Sequence, residues 1–230
     1  MTALSNRHPH GNQPLLEAGH DLEDANGVVI LLHSRGSPAA NIIRLWQTLA
    51  PDPESEQKIA WFAPQADNNA WYPYRFLVPV EQNEPHLSSA LAKIDELVDA
   101  AVELGIHSKQ VALVGFSQGA CLALEYVARG SRAVAGVAAF AGDLIGDPNV
   151  ARLPIPDLTG TRVFLGIGEL DDHIDVAIAA TAARLLGEAQ ATVDFRTYPR
   201  MPHTILDAEI VAARELVASI PIIGPRPAVS

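Results

Sequence analysis

The sequence predicts an α/β fold, a doubly wound and mostly parallel sheet with helices on both faces. Two observations carry that prediction. From Val28 onward short apolar runs alternate with amphipathic stretches, and those runs lack the every-second-residue alternation of a half-exposed strand. Strands covered on both faces and separated by helices require parallel, right-handed crossovers. Size agrees: 230 residues, 48% of them hydrophobic, suffice for one large domain with a full core, and no shift in composition divides them.

Taken in order, "VVILLH" is the first strand, "AANIIRLWQTLA" a helix and "KIAWFAP" a second strand, followed by a long loop containing Pro and Asn. The helix after that loop is the best defined. Leu87, Leu91, Ile94, Val98 and Val102 recur at three- and four-residue steps, and Gly105 stands where a helix end favours glycine. "QVALVG" follows as a buried strand. The second half repeats the alternation, with "GVAAF" and "RVFLGIG" as strands, Val176 to Leu186 as a helix, "TVDFRTY" as a strand and Leu206 to Ile220 as a closing helix ended by Pro221. Residues 1–26 read as an N-terminal extension, 27–220 as the domain and 221–230 as a C-terminal tail.

Charge narrows the partners. With 16 Lys and Arg against 27 Asp and Glu, the formal net charge is -11, which repels phosphate backbones and anionic headgroups, so nucleic acid is not expected as a partner. No apolar run reaches the ~18 residues that span a bilayer, so stable membrane insertion is not expected either. Cys121 is the one cysteine and cannot form an internal disulfide, and the polar first 26 residues lack the apolar centre of a signal peptide. The chain reads as soluble and cytoplasmic.

Chemistry enters at "VALVGFSQGACLAL", where a strand pattern turns into a helix pattern around Gly-Phe-Ser-Gln-Gly. In an open parallel sheet, reactive groups collect at the carboxyl ends of strands, and Ser117 stands at one of them. A serine that projects its hydroxyl from so tight a turn brings strand and helix backbones together, and Gly115 and Gly119 leave the room. The bare G-x-S-x-G pattern arises by chance; the strand before it and the helix after it give it weight. Cys121, one helical turn further on, reads as a small core residue.

A nucleophilic serine needs a base, and the base an orienting carboxylate, in the chain order Ser, Asp, His for folds of this kind. His203, in "YPRMPHTI", follows the last strand and is the histidine in that position. His8, His10, His20, His86 and His107 read as solvated surface groups, and His173 as a group at the surface or at a pocket rim. In "GIGELDDHID" three carboxylates compete, and Asp171 is preferred over Asp172 and Asp175 because it closes a short turn three residues after Gly168. Asp143 is a weaker candidate. The amide of Gln118, at the start of the helix behind Ser117, is one expected oxyanion donor, and the amide of Arg35 in "LLHSRGSPA" the other.

With these residues assembled, the chain resembles the carboxylesterase/phospholipase family of serine hydrolases, which includes the acyl-protein thioesterases. The resemblance runs from Val28 to Ile220 and rests on "LLHSRGS", "APQADNNAWY", "GFSQGA", "GELDD" and "MPH". It implies an α/β-hydrolase fold with little or no lid and a Ser117, Asp171, His203 triad. The implied substrate is a small-molecule carboxylic ester of short to medium acyl chain, with a thioester or lysophospholipid as the alternative. It places Trp71, Tyr72 and Phe76 at the substrate pocket and hints at a homodimer.

Ser34 stands where the family's H-G-x-G loop usually has glycine, and Pro202 replaces a common glycine before the base. Asp172 and Asp175 add negative charge near the acid turn, which is expected to discourage anionic substrates. Neither "GFSQGA" nor "GIGELD" completes a dinucleotide fingerprint, and no metal-ligand pattern is present, so neither cofactor nor metal is expected. A non-catalytic binding protein on the same scaffold is the remaining alternative.

Overall fold

The computed structural model describes residues 8–130 and 132–223. In chain order its elements are β1 (Leu15–Gly19), β2 (Gly27–Leu32), α1 (Ala39–Ile42), α2 (Trp46–Leu49), β3 (Ile59–Pro64), α3 (His86–Glu103), β4 (Val111–Phe116), α4 (Gln118–Arg129), β5 (Gly136–Phe140), β6 (Arg162–Gly168), α5 (Val176–Glu188), β7 (Thr192–Tyr198) and α6 (Asp207–Ala218). The seven strands form one sheet in the order β1-β3-β2-β4-β5-β6-β7. All neighbours are parallel except β1, which pairs antiparallel with β3 from Leu15↔Pro64 to Gly19↔Ala60.

Strand periodicity splits the core in two. Val28, Ile30 and Leu32 point to a layer covered by α3, α4 and α5, whereas Val29 and Leu31 point to a layer covered by α1, α2 and α6. Every residue of β2 and of β3 is buried, which explains why both read as unbroken apolar runs. β7 is half exposed along its length, as an edge strand can be. The helix expected over "AANIIRLWQTLA" is broken: a 3-10 turn at Ile43–Leu45 separates α1 from α2.

Two readings at the N-terminus need correction. The segment 1–26 is not a bare extension, because Leu15–Gly19 completes the sheet edge, a strand too short and too mixed in polarity to announce itself. Nor is His10 solvated. It is fully buried, its Nδ1 accepts the Asp67 N–H at 3.0 Å, and its Nε2 lies 3.0 Å from the Trp71 carbonyl. An Nδ1 that accepts fixes the proton on Nε2, so the ring is neutral and donates to Trp71. Desolvation lowers its pKa in agreement. Of the expected tail, residues 224–230 lie outside the described residues.

Candidate active site

The site is built where β4 runs into α4. Ser117 occupies the turn between them at φ 55°, ψ -117°, a conformation that costs a side-chain-bearing residue energy. The turn is pinned on both sides: the Ser117 amide donates to the Phe140 carbonyl at 2.9 Å, and the Ser117 carbonyl accepts from the Cys121 amide at 2.9 Å. A Cβ at Gly115 would lie 2.4 Å from the Gly119 backbone, and one at Gly119 would lie 2.1 Å from the Leu32 carbonyl oxygen. Both glycines are therefore steric requirements of the β4–α4 crossing.

His203 reaches Ser117 from the loop between β7 and α6. Its Nε2 is 2.8 Å from Ser117 Oγ and its Nδ1 is 2.7 Å from Asp171 Oδ2. The loop after β6 and the loop after β7 are joined by backbone bonds, Glu169 N–H to the Tyr198 carbonyl at 3.0 Å and Leu170 N–H to the Met201 carbonyl at 3.0 Å, and this pairing brings Asp171 and His203 together. A Cβ at Gly168 would strike the Met201 carbonyl at 2.1 Å, so the close approach also depends on glycine. The Asp171 side chain is wholly buried, and its second oxygen accepts the amides of His173 at 2.8 Å and Ile174 at 2.9 Å. Those bonds hold the carboxylate aimed at the ring.

The rival carboxylates are occupied elsewhere. Asp175 caps α5 by accepting the Ala177 amide at 2.7 Å, and the Asp172 side chain is 83% exposed. Asp143 lies buried beside Cys121 with its carboxyl pushed up to about 7 by desolvation. His173 sits at the rim, edge-on to His203 with 4.5 Å between ring centroids.

The two amides expected to serve an oxyanion, those of Gln118 and Arg35, have no hydrogen-bond partner among the described residues. The loop carrying Arg35 is held from behind by His33, which is fully buried. His33 Nε2 accepts the Ala66 amide at 3.0 Å, so its Nδ1 carries the proton and donates to the Ser34 carbonyl at 2.9 Å. Gly36 adopts φ +75° and donates to the Asn69 carbonyl at 2.8 Å. Ser34 stays outside the left-handed region, so serine replaces the family's glycine there without backbone strain.

A cavity of about 600 Å³ opens beside Ser117. Tyr72 and Phe76 line it as expected, together with Phe116, whose ring stacks on His203 at 4.9 Å between centroids. Trp71 does not line it. That residue is fully buried behind the wall, where its indole N–H donates to the His33 carbonyl at 2.8 Å. Cys121 touches the cavity, but burial pushes its thiol up to about 12, which leaves it unreactive.

Sequence reasoning missed two side-chain roles. The buried Gln118 side chain clamps the wall, its Oε1 accepting from the Trp71 amide at 2.9 Å and its Nε2 donating to the Tyr72 carbonyl at 2.8 Å. The other is that of Phe116. No sequence signal separates such a platform from an ordinary strand-end aromatic.

A mostly parallel seven-stranded sheet with a serine raised on a strand-to-helix turn and facing a late histidine defines an α/β-hydrolase. More narrowly, the chain belongs to the Phospholipase/Carboxylesterase family, whose model matches residues 19–220. It is similar to a phospholipase/carboxylesterase from Dyadobacter fermentans, at 39% identity and a TM-score of 0.81, covering 90% of this chain and 97% of that one. It is also similar to acyl-protein thioesterase 1 of Cryptococcus neoformans, 24% identical with 82% of this chain and 90% of that protein covered. A carboxylesterase from Bacillus cereus shares the fold, at 17% identity and a TM-score of 0.69, covering 95% of this chain and 100% of that one. The protein is therefore an enzyme, a carboxylesterase-type serine hydrolase.

Proposed function

We propose that Ser117, His203 and Asp171 act as a catalytic triad that cleaves carboxylic esters of short to medium acyl chain by way of an acyl-enzyme. The unbroken chain of contacts from Ser117 Oγ through the His203 ring to Asp171, at 2.8 and 2.7 Å, carries this reading. His203 Nε2 takes the hydroxyl proton as Ser117 attacks the acyl carbon, then delivers it to the leaving alcohol. Asp171 fixes the tautomer that leaves Nε2 free to accept. The Gln118 and Arg35 amides hold the oxyanion, each worth about 3 kcal/mol in the transition state. Water, activated by His203, then releases the acid.

A cavity of about 600 Å³ supports a substrate of modest size. Thioester hydrolysis by the same triad is the second reading, favoured by the similarity to an acyl-protein thioesterase. No helix among the described residues is long and apolar enough to cross a membrane. Separately, the single cysteine, Cys121, is unpaired and buried, which supports action in the cytoplasm.

A fluorophosphonate probe and a panel of p-nitrophenyl esters of graded chain length test the proposal. Labelling at Ser117 with a turnover maximum at short or medium chains is the expected result. An unlabelled Ser117, or undiminished turnover in Ser117→Ala, overturns it. Matched thioesters in the same assay decide the second reading.

A further inference from the structure

The side chains lining the cavity are at odds with the charge of the protein. The chain carries a formal net charge of -11, yet the cavity wall contains Arg35, Arg75 and His173 beside His203, and no Asp or Glu. Neither arginine has a carboxylate partner among the described residues. Each is instead positioned by backbone carbonyls. Arg35 donates from one terminal nitrogen to Pro73 at 2.8 Å and from the other to Tyr74 at 2.5 Å, with its guanidinium 5.7 Å from the Tyr72 ring centre. Arg75 donates to the His173 carbonyl at 3.2 Å, across the mouth from Tyr74 to the acid turn. Carbonyls orient a guanidinium without neutralising it, so its charge and its remaining N–H groups stay available to a ligand.

The acidic residues that argued against an anionic substrate do not offset this. Asp171 is buried and turned to His203, Asp175 is spent on the α5 cap, and Asp172, 83% exposed and outside the cavity lining, lies 3.6 Å from His173 Nε2 and pairs with neither arginine. The N-terminal end of α4, which opens onto the same space, adds a further partial positive charge.

We propose that the preferred substrate is an ester or thioester that itself carries a carboxylate, received by Arg75 and Arg35 at the cavity mouth while Ser117 attacks the acyl carbon. This rests on the esterase reading and specifies its substrate class. The guanidinium pair binds the substrate's free anionic group, as distinct from the developing oxyanion, which the backbone amides hold.

Two matched pairs of substrates test it. In the first the charge is on the acyl part, mono-4-nitrophenyl glutarate against 4-nitrophenyl butyrate. In the second it is on the leaving group, 4-(butyryloxy)benzoate against its methyl ester. Each kcat/KM is divided by the rate of hydroxide hydrolysis to remove intrinsic reactivity. The charged-to-neutral ratio is expected to exceed one in at least one pair, and the pair that shows it tells which end of the substrate the arginines hold. That ratio should fall about tenfold in Arg75→Gln, the value of one charge-assisted hydrogen bond, chiefly through KM. It should be largely retained in Arg75→Lys and compressed by 0.5 M NaCl. Neutral esters equal or preferred in both pairs, or a ratio unmoved by Arg75→Gln, overturns the proposal and leaves the esterase reading standing. Failure to cleave any of the four, with Ser117 unlabelled, overturns both.

Discussion

Ser117 is held in a left-handed conformation by the two bonds at its own backbone, and its hydroxyl meets a histidine whose far side is anchored to a buried carboxylate. Under the proposed mechanism the triad residues act as a unit, so Ser117→Ala is expected to lower kcat about a millionfold. Asp171→Asn is expected to lower it about ten-thousandfold while leaving KM nearly unchanged, because an amide stabilises the wrong His203 tautomer. Single-turnover kinetics on a p-nitrophenyl ester checks both. Gln118 has a different part to play, through its side chain. Gln118→Ala strands the Trp71 amide and the Tyr72 carbonyl in the wall, so a stability loss of about 1 to 3 kcal/mol in urea unfolding is expected, with a raised KM.

At the scale of elements, the β4–α4 crossing admits no side chain at either glycine. Gly119→Ala would drive a methyl group to 2.1 Å from the Leu32 carbonyl oxygen, and β2 is too deeply buried to retreat. A loss of about 3 kcal/mol or more is expected, seen as a collapse of the thermal unfolding midpoint. This crossing was fully legible in the sequence, because the same glycines that signal the turn are the ones sterics demands. The pocket wall was not. Trp71 and Tyr72 are adjacent, and which of them faces a cavity depends on the course of a loop that no periodicity governs. β1 escaped for a related reason: an edge strand needs only one covered face, and "LLEAG" offers too little of one to be read.

For the whole molecule, buried titratable groups pull stability in opposite directions with pH. Asp143 and Glu209 are both pushed up to about 7 by desolvation, from ordinary values of 3.8 and 4.5. A carboxyl raised in the folded state binds more protons folded than unfolded, so its contribution is fullest below the unfolded value and is lost as pH climbs to about 7. His10 and His33 are lowered from 6.5 by burial, so theirs is fullest above 6.5 and is lost as pH falls below it. Each group contributes a slope of at most about 1.4 kcal/mol per pH unit, and between pH 5 and 6.5 the two sets oppose each other. The variant carrying Asp143→Asn and Glu209→Gln should therefore gain stability with rising pH more steeply than the parent over that interval, as urea titrations would show; parallel profiles would contradict the assignment. The His10 tether carries a consequence for where this protein can be cut. A version trimmed to the family-matched span of 19–220 would discard the imidazole bonded to Trp71 and four of the five residues of the edge strand. The unit that resemblance delimits is thus smaller than the unit that bears load, and pruning the leading residues for convenience would strip the sheet of its edge and release the backbone of Trp71 behind the cavity wall.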